Sequence, residues 1–186
     1  MVDAIWTRYD QRGCEHLRLE QDAKSIQADA VVIGVRDQKP YRIHYRILCD
    51  SNWVVRQVNL GDIDEFVDGV TLYADGVGHW TLFPGGRDSA LEGCLDIDIL
   101  ASPFTNTLPI NRLNLAVGDA AEINVAFISV PDFQVQPVRQ RYTCLSKTMA
   151  GAVYRYENLV NGYQAELSVD FAGLVLDYPQ AFRRTL

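Results

Sequence analysis

The sequence predicts an all-β protein built on an antiparallel sheet. Two observations carry this prediction. Apolar and polar residues alternate along many short segments, which is the pattern of half-buried strands. Turn-forming residues separate these segments at intervals of about ten residues, which is typical of a sandwich, a barrel or a rolled sheet. At most one or two short helices are expected, and the best candidate is a short turn near Ile63 to Phe66.

Strand character recurs along most of the chain. Between Tyr41 and Cys49, apolar residues alternate with arginine and histidine, so one face of the segment is apolar. Ile26 to Val32 and Tyr163 to Phe171 alternate in the same way. Asp75-Gly76 and Asn161-Gly162 are strong hairpin signals because these residues tolerate positive φ. Further strands are predicted at Leu17 to Glu20, Trp53 to Leu60, Val70 to Ala74, His79 to Phe83, Leu95 to Ile99, Ile123 to Val130, Phe133 to Cys144 and Ala152 to Tyr156.

One β domain is predicted over residues 1–186, because a chain of this length with 48% hydrophobic residues can bury a substantial core. Ile47 to Val55 is similar to Leu167 to Val175, since each joins two strands through a turn opened by aspartate. Duplication into two pseudo-repeats is one interpretation. The other is that two unrelated hairpins follow the same turn chemistry, because aspartate is common at turns.

Charge and composition limit the classes of partner that are expected for this chain. The net charge is -7 and no run of basic residues offsets it, so nucleic acid is not expected as a partner. No basic amphipathic helix and no apolar stretch of about 18 residues is visible, so stable membrane insertion is not expected either. Met1 to Arg8 lack the order of a signal peptide, which makes the cytoplasm the expected compartment. The four cysteines are far apart, and we expect apolar fillers in a reducing compartment.

Asp96 and Asp98 are the first candidates for chemistry. Two positions apart on a strand, their carboxylates share a face about 6.6 Å apart. That distance overlaps the range of about 6.5 to 9.5 Å for the acid and base of an inverting glycosidase, and it also suits one hard cation. The alternative is a solvated face, or ion pairs with arginines such as Arg112.

Pro103 to Leu113 is the second candidate. Its two prolines predict a rigid loop outside the strand ladder, followed by a strand from Ile110 to Val117. The polar residues of this stretch offer hydrogen-bond donors, acceptors and one forked cation for a ligand head group. The alternative is a structured crossover loop that satisfies its own backbone. The polar residues in question are Thr105, Asn106, Thr107 and Arg112.

Cofactor signatures are missing from the sequence. No phosphate-binding motif, no nucleophile motif and no metal-ligand spacing occurs, so neither a cofactor nor a metal is expected. Trp80 follows a glycine-rich turn and has two interpretations. It forms part of a wall that stacks on a sugar, or it packs in the core as most indoles do.

Several segments resemble the putative glycolipid-binding family of bacterial proteins. The most specific is Thr-Asn-Thr-Leu-Pro within residues 103–113; the others are residues 91–98 (Leu-Glu-Gly-Cys-Leu-Asp-Ile-Asp), Pro131, residues 140–142 (Gln-Arg-Tyr) and residues 169–179. The resemblance covers nearly the whole chain. It implies a spiral β-roll, an antiparallel sheet curled into a half-open barrel, with a distant relation to the half-barrel carriers of bacterial lipoproteins.

Three functions follow from the residues and the resemblance. The first is binding of a small amphiphile, such as a glycolipid or another lipid, with acyl chains on an apolar concave sheet face. The second is an interaction protein that pairs two copies through exposed strand edges as a homodimer. The third is a glycoconjugate hydrolase that uses Asp96 and Asp98. The residues expected to contact a ligand are Arg112, Asn106, Thr105, Thr107, Asp96, Asp98 and Trp80.

Overall fold

Fifteen strands form one continuous sheet in the computed structural model, which describes residues 1–63 and 69–186. From the middle of the sheet, β1 to β8 follow chain order to one edge, and β15 to β9 run in reverse order to the other edge. β1 pairs with β15, so the two ends of the chain meet in the middle of the sheet. Its edges, β8 and β9, stay apart, so the sheet is a half-open roll. The predicted all-β fold class is confirmed.

The element boundaries agree with the alternation in the sequence. One short helix, α1 (Thr107–Leu113), and 3-10 turns at Ser89–Leu91 and Phe104–Asn106 accompany the sheet. Among the described residues, no helix is long and apolar enough to cross a membrane. The helical turn predicted near Ile63 to Phe66 lies, apart from Ile63, outside the described residues. The strands are β1 (Val2–Arg8), β2 (Gly13–Gln21), β3 (Ser25–Arg36), β4 (Lys39–Asp50), β5 (Val55–Asp62), β6 (Val70–Ala74), β7 (Trp80–Phe83), β8 (Gly86–Asp88), β9 (Asp96–Ile99), β10 (Ala120–Ile128), β11 (Val135–Thr148), β12 (Gly151–Asn158), β13 (Gln164–Asp170), β14 (Val175–Tyr178) and β15 (Phe182–Arg184).

Strand pairing explains why part of the chain crosses the sheet. Neighbouring strands are antiparallel except β9 and β10, which pair in parallel from Asp96 with Val125 to Ile99 with Ile128. Parallel neighbours cannot be joined by a tight hairpin and need a crossover connection. Here the crossover is the stretch between β9 and β10, and it contains α1. The topology therefore places this stretch against a face of the sheet.

The core lies on the concave face of the roll. On β4, Ile43, Tyr45 and Ile47 are buried, whereas the alternating Arg42 and Arg46 are exposed. Buried residues of β1 to β6 form one cluster with residues of β9 and α1, and buried residues of β11 to β14 form a second. Burial of this apolar surface is the main source of folding free energy. Cys49, Cys94 and Cys144 are free and buried among these residues.

The free edges of the sheet are short. β8 has three residues and β9 has four. Short edge strands offer few unpaired backbone groups to a second chain. The edges therefore give little support to the predicted pairing of two copies, and the homodimer stays a prediction.

Candidate functional site

Residues 96–113, here called the inner segment, fill part of the concave face. Phe104 and Leu108 are fully buried in the core cluster of β1 to β6, and Ile110 belongs to the cluster of β11 to β14. The inner segment thus contributes side chains to both clusters. The concave face that was expected to hold acyl chains is packed, over its first half, by residues of the chain itself.

The local conformation of the inner segment differs from the sequence prediction. The predicted strand from Ile110 to Val117 is wrong, because this stretch begins with the end of α1. Pro109 is the third residue of α1, in the first turn, where a missing backbone N–H costs no helical hydrogen bond. Asn114 ends the helix in the left-handed conformation, and its N–H donates to the carbonyl of Ile110. The proline therefore lies in the first turn of a helix and not in a loop.

Asp96 and Arg112 form a buried ion pair. Nε of Arg112 lies 2.9 Å from Oδ1 of Asp96, and Nη2 lies 2.5 Å from Oδ2. The Asp96 side chain is completely buried, and the Arg112 side chain is 13% exposed. Burial raises the pKa of Asp96, and the guanidinium opposes this rise. The arginine thus neutralises a carboxylate that water does not reach.

This pair bears directly on the hydrolase hypothesis. Asp96 and Asp98 lie on the same face of β9, as predicted, but they have different partners. An acid or base must be in reach of its substrate, and Asp96 is sealed beneath Arg112. The geometry therefore does not support a hydrolase that divides acid and base roles between Asp96 and Asp98.

Asp98 is the less buried residue of the two. Nε2 of Gln140 donates to Oδ2 of Asp98 at 2.6 Å and to the hydroxyl of Tyr156 at 3.1 Å. The Thr105 hydroxyl donates to the carbonyl of Ser102 at 3.0 Å and lies 3.3 Å from Oδ1 of Asp98. Burial raises the pKa of Asp98, and the bonds from Gln140 and Thr105 oppose the rise. Gln140 and Thr105 fix the position of Asp98, and its carboxylate retains acceptor capacity.

The other predicted ligand residues of α1 and its 3-10 turn are buried. Asn106 accepts a hydrogen bond from the hydroxyl of Tyr142 at 2.9 Å, which ties the turn to β11. Thr107 is completely buried, and its hydroxyl has no hydrogen-bond partner among residues 1–63 and 69–186. Trp80 is also completely buried, and its indole N–H donates to the carbonyl of Cys94 at 2.7 Å. Trp80 therefore packs in the core, which was the second of its two interpretations.

A run of tyrosines leads from the Asp98 network to solvent. The ring centroids of Tyr156 and Tyr178 are 6.2 Å apart, and each lies 6.3 Å from the centroid of Tyr163. Tyr156 is buried and Tyr178 is partly buried, whereas Tyr163 is 42% exposed. Burial, followed by the charges of neighbouring groups including Asp98, raises the pKa of Tyr156 and of Tyr178. We call Asp98, Gln140, Tyr156, Tyr163 and Tyr178 the tyrosine site.

Most of the tyrosine site was missed in the sequence. Only Asp98 was named as a candidate. The available signal was the clustering of tyrosine, since five of the nine tyrosines occur at positions 142, 154, 156, 163 and 178. That signal does not show which tyrosines share a face with Asp98, because β9 and β12 are brought together only by the order of the strands.

A third buried polar group anchors the inner segment to the opposite side of the roll. Oε1 of Glu15 accepts hydrogen bonds from the hydroxyls of Tyr45 and Ser102, the latter at 2.9 Å. Oε2 of Glu15 has no hydrogen-bond partner in the described part of the chain, and the residue is completely buried. Burial raises the pKa of Glu15 to about 8, against the two hydrogen bonds. Glu15 lies in an inward position of β2, two residues before the buried Leu17, which was the available sequence signal.

The fold and the site define an all-β, half-open roll with a buried polar network that opens at a cluster of tyrosines. The chain belongs to the family described as Putative glycolipid-binding, whose model matches residues 3–184. The crystal structure of a DUF1089 family protein (PA1994) from Pseudomonas aeruginosa is similar, with 38% sequence identity and a TM-score of 0.78. That similarity covers 95% of this chain and 94% of the other. The comparison with curated proteins returned no match.

Proposed function

We propose that the protein binds an amphiphile of the glycolipid type and that the tyrosine site contacts its saccharide. The observation that carries the proposal is the link from Asp98 through Gln140 to Tyr156, whose ring packs with Tyr178 and with the exposed Tyr163. Membership of the glycolipid-binding family supports the same class of ligand. The proposal concerns binding, because Asp96 is buried beneath Arg112 and is out of reach as one of the two carboxylates of the predicted glycoconjugate hydrolase.

The chemistry of the tyrosine site matches that of a sugar. A sugar ring presents apolar C–H groups on its faces and hydroxyls around its rim. Tyrosine rings offer an apolar surface with a polar tip, so Tyr163 and Tyr178 can cover a face of the sugar. A carboxylate accepts hydrogen bonds from several hydroxyls, and Asp98 has free acceptor positions. Ligand sites in general combine an apolar lining with a few oriented polar groups.

The acyl part of the ligand has less support from the geometry. The inner segment fills the concave face of β1 to β6, where acyl chains were expected. Within the proposal, the saccharide provides the recognition, and the acyl chain adds affinity at the apolar edge of the tyrosine site. Phe182 packs against Tyr178 from the core side, with its ring centroid 6.4 Å away, and is only 5% exposed, so the aromatic surface left for the acyl chain is that of Tyr163 and Tyr178.

Calorimetric titration with octyl glucoside below its micelle concentration tests the proposal, with glucose and octanol as the separate halves. Octyl glucoside is expected to bind more tightly than either half. Tyr163→Ser should weaken binding by about twofold to tenfold, because an aromatic contact contributes about 0.5–1.5 kcal/mol. Tyr73→Ser is the matched control, since Tyr73 is 45% exposed on β6, against 42% for Tyr163. Absence of binding across a panel of alkyl glycosides, or an equal loss in both variants, contradicts the proposal.

A further inference from the structure

The most exposed apolar side chains of the protein share one end of the sheet. Among the described residues, the four highest exposures of large apolar side chains are 99% for Met149, 87% for Phe171, 79% for Met1 and 74% for Val77. Met149 follows β11, Phe171 follows β13 and Val77 follows β6, so each is in a turn. Because neighbouring strands here alternate in direction, these three turns and the start of β1 lie at the same end.

The turns that carry Met149, Phe171 and Trp53 lie close to one another. The first residue of β12 pairs with the last residue of β13, which places the turn of Met149 beside the turn of Phe171. Phe171 and the partly exposed Trp53 line one cleft of about 280 Å³, together with Val2. Trp53 is in the turn between β4 and β5, at the same end of the sheet. We call Trp53, Val77, Met149 and Phe171 the apolar end.

Charges of both signs lie beside the apolar end: Asp22 precedes Lys24 in the turn after β2, and Asp75 precedes Val77 and contacts His79. Two of its three lysines, Lys24 and Lys147, are exposed at this end, in the turn after β2 and near the end of β11. Lysine next to exposed apolar residues is suited to a surface whose apolar interior lies beneath phosphate groups. The carboxylate of Asp170, next to Phe171, is neutralised by Arg184 at 2.5 Å. The turn of Phe171 therefore carries little uncompensated negative charge.

From this arrangement we propose that the apolar end docks on the surface of a phospholipid bilayer. Exposed apolar side chains that project from separate turns can enter the headgroup region without exposing a strand edge to lipid. Tryptophan and phenylalanine bind at this depth, and tryptophan is enriched there. The net charge of -7 disfavours an anionic bilayer, so the partner is a zwitterionic one, with its phosphates beside the two lysines.

The docking surface is separate from the tyrosine site. Tyr163 precedes β13 and Tyr178 ends β14, which places both at the opposite end of the sheet from Phe171. A protein docked through the apolar end keeps its tyrosine site in water. The docking proposal therefore does not rest on saccharide binding, and each of the two can fail alone.

Trp53 provides a direct readout of docking. The other two tryptophans, Trp6 and Trp80, are completely buried, so a change in emission on adding vesicles reports on Trp53. With vesicles of phosphatidylcholine, the full chain should show a blue-shifted emission and quenching by lipids brominated near the headgroup. Co-flotation of the protein with the vesicles measures the partition coefficient. Trp53→Phe should abolish the spectral change and leave most of the flotation.

The decisive variant is Met149→Ser combined with Phe171→Ser. Both side chains are almost fully exposed, so the fold should be retained, and partitioning should fall at least tenfold. The matched control is Val160→Ser with Phe83→Ser, which are 71% and 65% exposed at the opposite end, in the turn after β12 and at the last residue of β7. This control should partition like the original chain, and an excess of glucose, which leaves vesicles intact, should not displace the protein from them.

Three outcomes overturn the proposal. The first is absence of flotation with phosphatidylcholine vesicles. The second is an equal loss of partitioning in the two double variants. The third is a change in sedimentation of the Met149/Phe171 variant without any change in partitioning, because the apolar end is then a surface between two copies of the chain.

Discussion

The guanidinium of Arg112 binds the carboxylate of Asp96 through two nitrogens and joins the last turn of α1 to the first residue of β9. The two residues lie near the two ends of the inner segment, which packs on the concave face. Burying the pair costs desolvation free energy, which the bidentate contact offsets only while both partners are present. The pair therefore fixes the inner segment in one arrangement.

Arg112→Met tests this role. Leaving Asp96 buried and unpaired should lower the free energy of unfolding by about 3 to 5 kcal/mol in urea titrations. Arg112→Met combined with Asp96→Leu should recover most of the loss, because an apolar pair of similar volume avoids the unpaired charge. Arg155→Met, which breaks the exposed pair with Glu166, should change stability by no more than about 1 kcal/mol.

The same variant also separates structure from ligand binding. If Arg112 is structural, the folded fraction of Arg112→Met binds octyl glucoside with the affinity of the original chain. A loss of affinity at unchanged stability instead shows that Arg112 binds the ligand, which was one of the two roles that the sequence suggested.

Strands with strict alternation of apolar and polar residues could be predicted, because this pattern depends only on residues that are adjacent in the sequence. Tyr41 to Cys49 became β4 with almost the predicted bounds. β1, β8 and β15 were not predicted, since β8 and β15 are short and β1 pairs with β15 across the whole length of the chain. Pro109 was interpreted as a loop residue, although the first turn of a helix accommodates proline equally well.

The candidate site could be predicted only in part, for the same reason. Arg112 was correctly considered as a partner of Asp96, because the two are close in sequence. Gln140 is 42 residues from Asp98, and Ser102 is 87 residues from Glu15. Contacts over such separations depend on the order of strands in the sheet, which local patterns do not specify.

The two similar hairpins use their aspartates in the same way. Oδ1 of Asp50 accepts backbone N–H bonds from Asn52 and Val54, and Oδ1 of Asp170 accepts them from Ala172 and Leu174. The second oxygen of each carboxylate binds an arginine. This likeness is compatible with both interpretations, and the pseudo-repeats stay a prediction.

Asp50→Ala and Asp170→Ala should therefore lower the free energy of unfolding by similar amounts, about 1–3 kcal/mol each in urea titrations. Each substitution leaves two backbone N–H groups without their acceptor. The double variant should show an additive loss, since the hairpins share no partner. Asp119→Ala, at an exposed position before β10, is the control and should change stability by less than about 0.5 kcal/mol. A large loss in only one of the two variants contradicts equivalent roles.

Trp80→Phe tests whether the indole of Trp80 packs in the core or stacks on a sugar, which were its two interpretations from the sequence. Removing the indole N–H leaves the carbonyl of Cys94 without its donor in the core. We expect a loss of about 1–3 kcal/mol in unfolding free energy. Affinity for octyl glucoside should not change, because Trp80 is sealed in the core. A weaker affinity without a loss of stability contradicts the core assignment.

Glu15 predicts how stability depends on pH. Its pKa is about 8 in the folded protein and 4.5 when unperturbed, so the folded state holds a proton that the unfolded state releases between these values. The stabilisation from this group is complete below pH 4.5 and is lost as the pH rises towards 8. The loss approaches about 1.4 kcal/mol per pH unit within this window.

Glu15→Gln should abolish this dependence. Glutamine keeps an acceptor for Tyr45 and Ser102 and cannot ionise, so the variant should gain stability over the original chain from pH 5 to pH 8. The measurement is urea unfolding at pH 5, 6, 7 and 8. Glu20→Gln, at an exposed position of the same strand, is the control and should follow the original chain. Parallel curves for the original chain and Glu15→Gln are incompatible with a protonated Glu15 in the folded state. A rising difference instead shows that the carboxyl group beneath Ser102 makes the anchoring of the inner segment sensitive to pH.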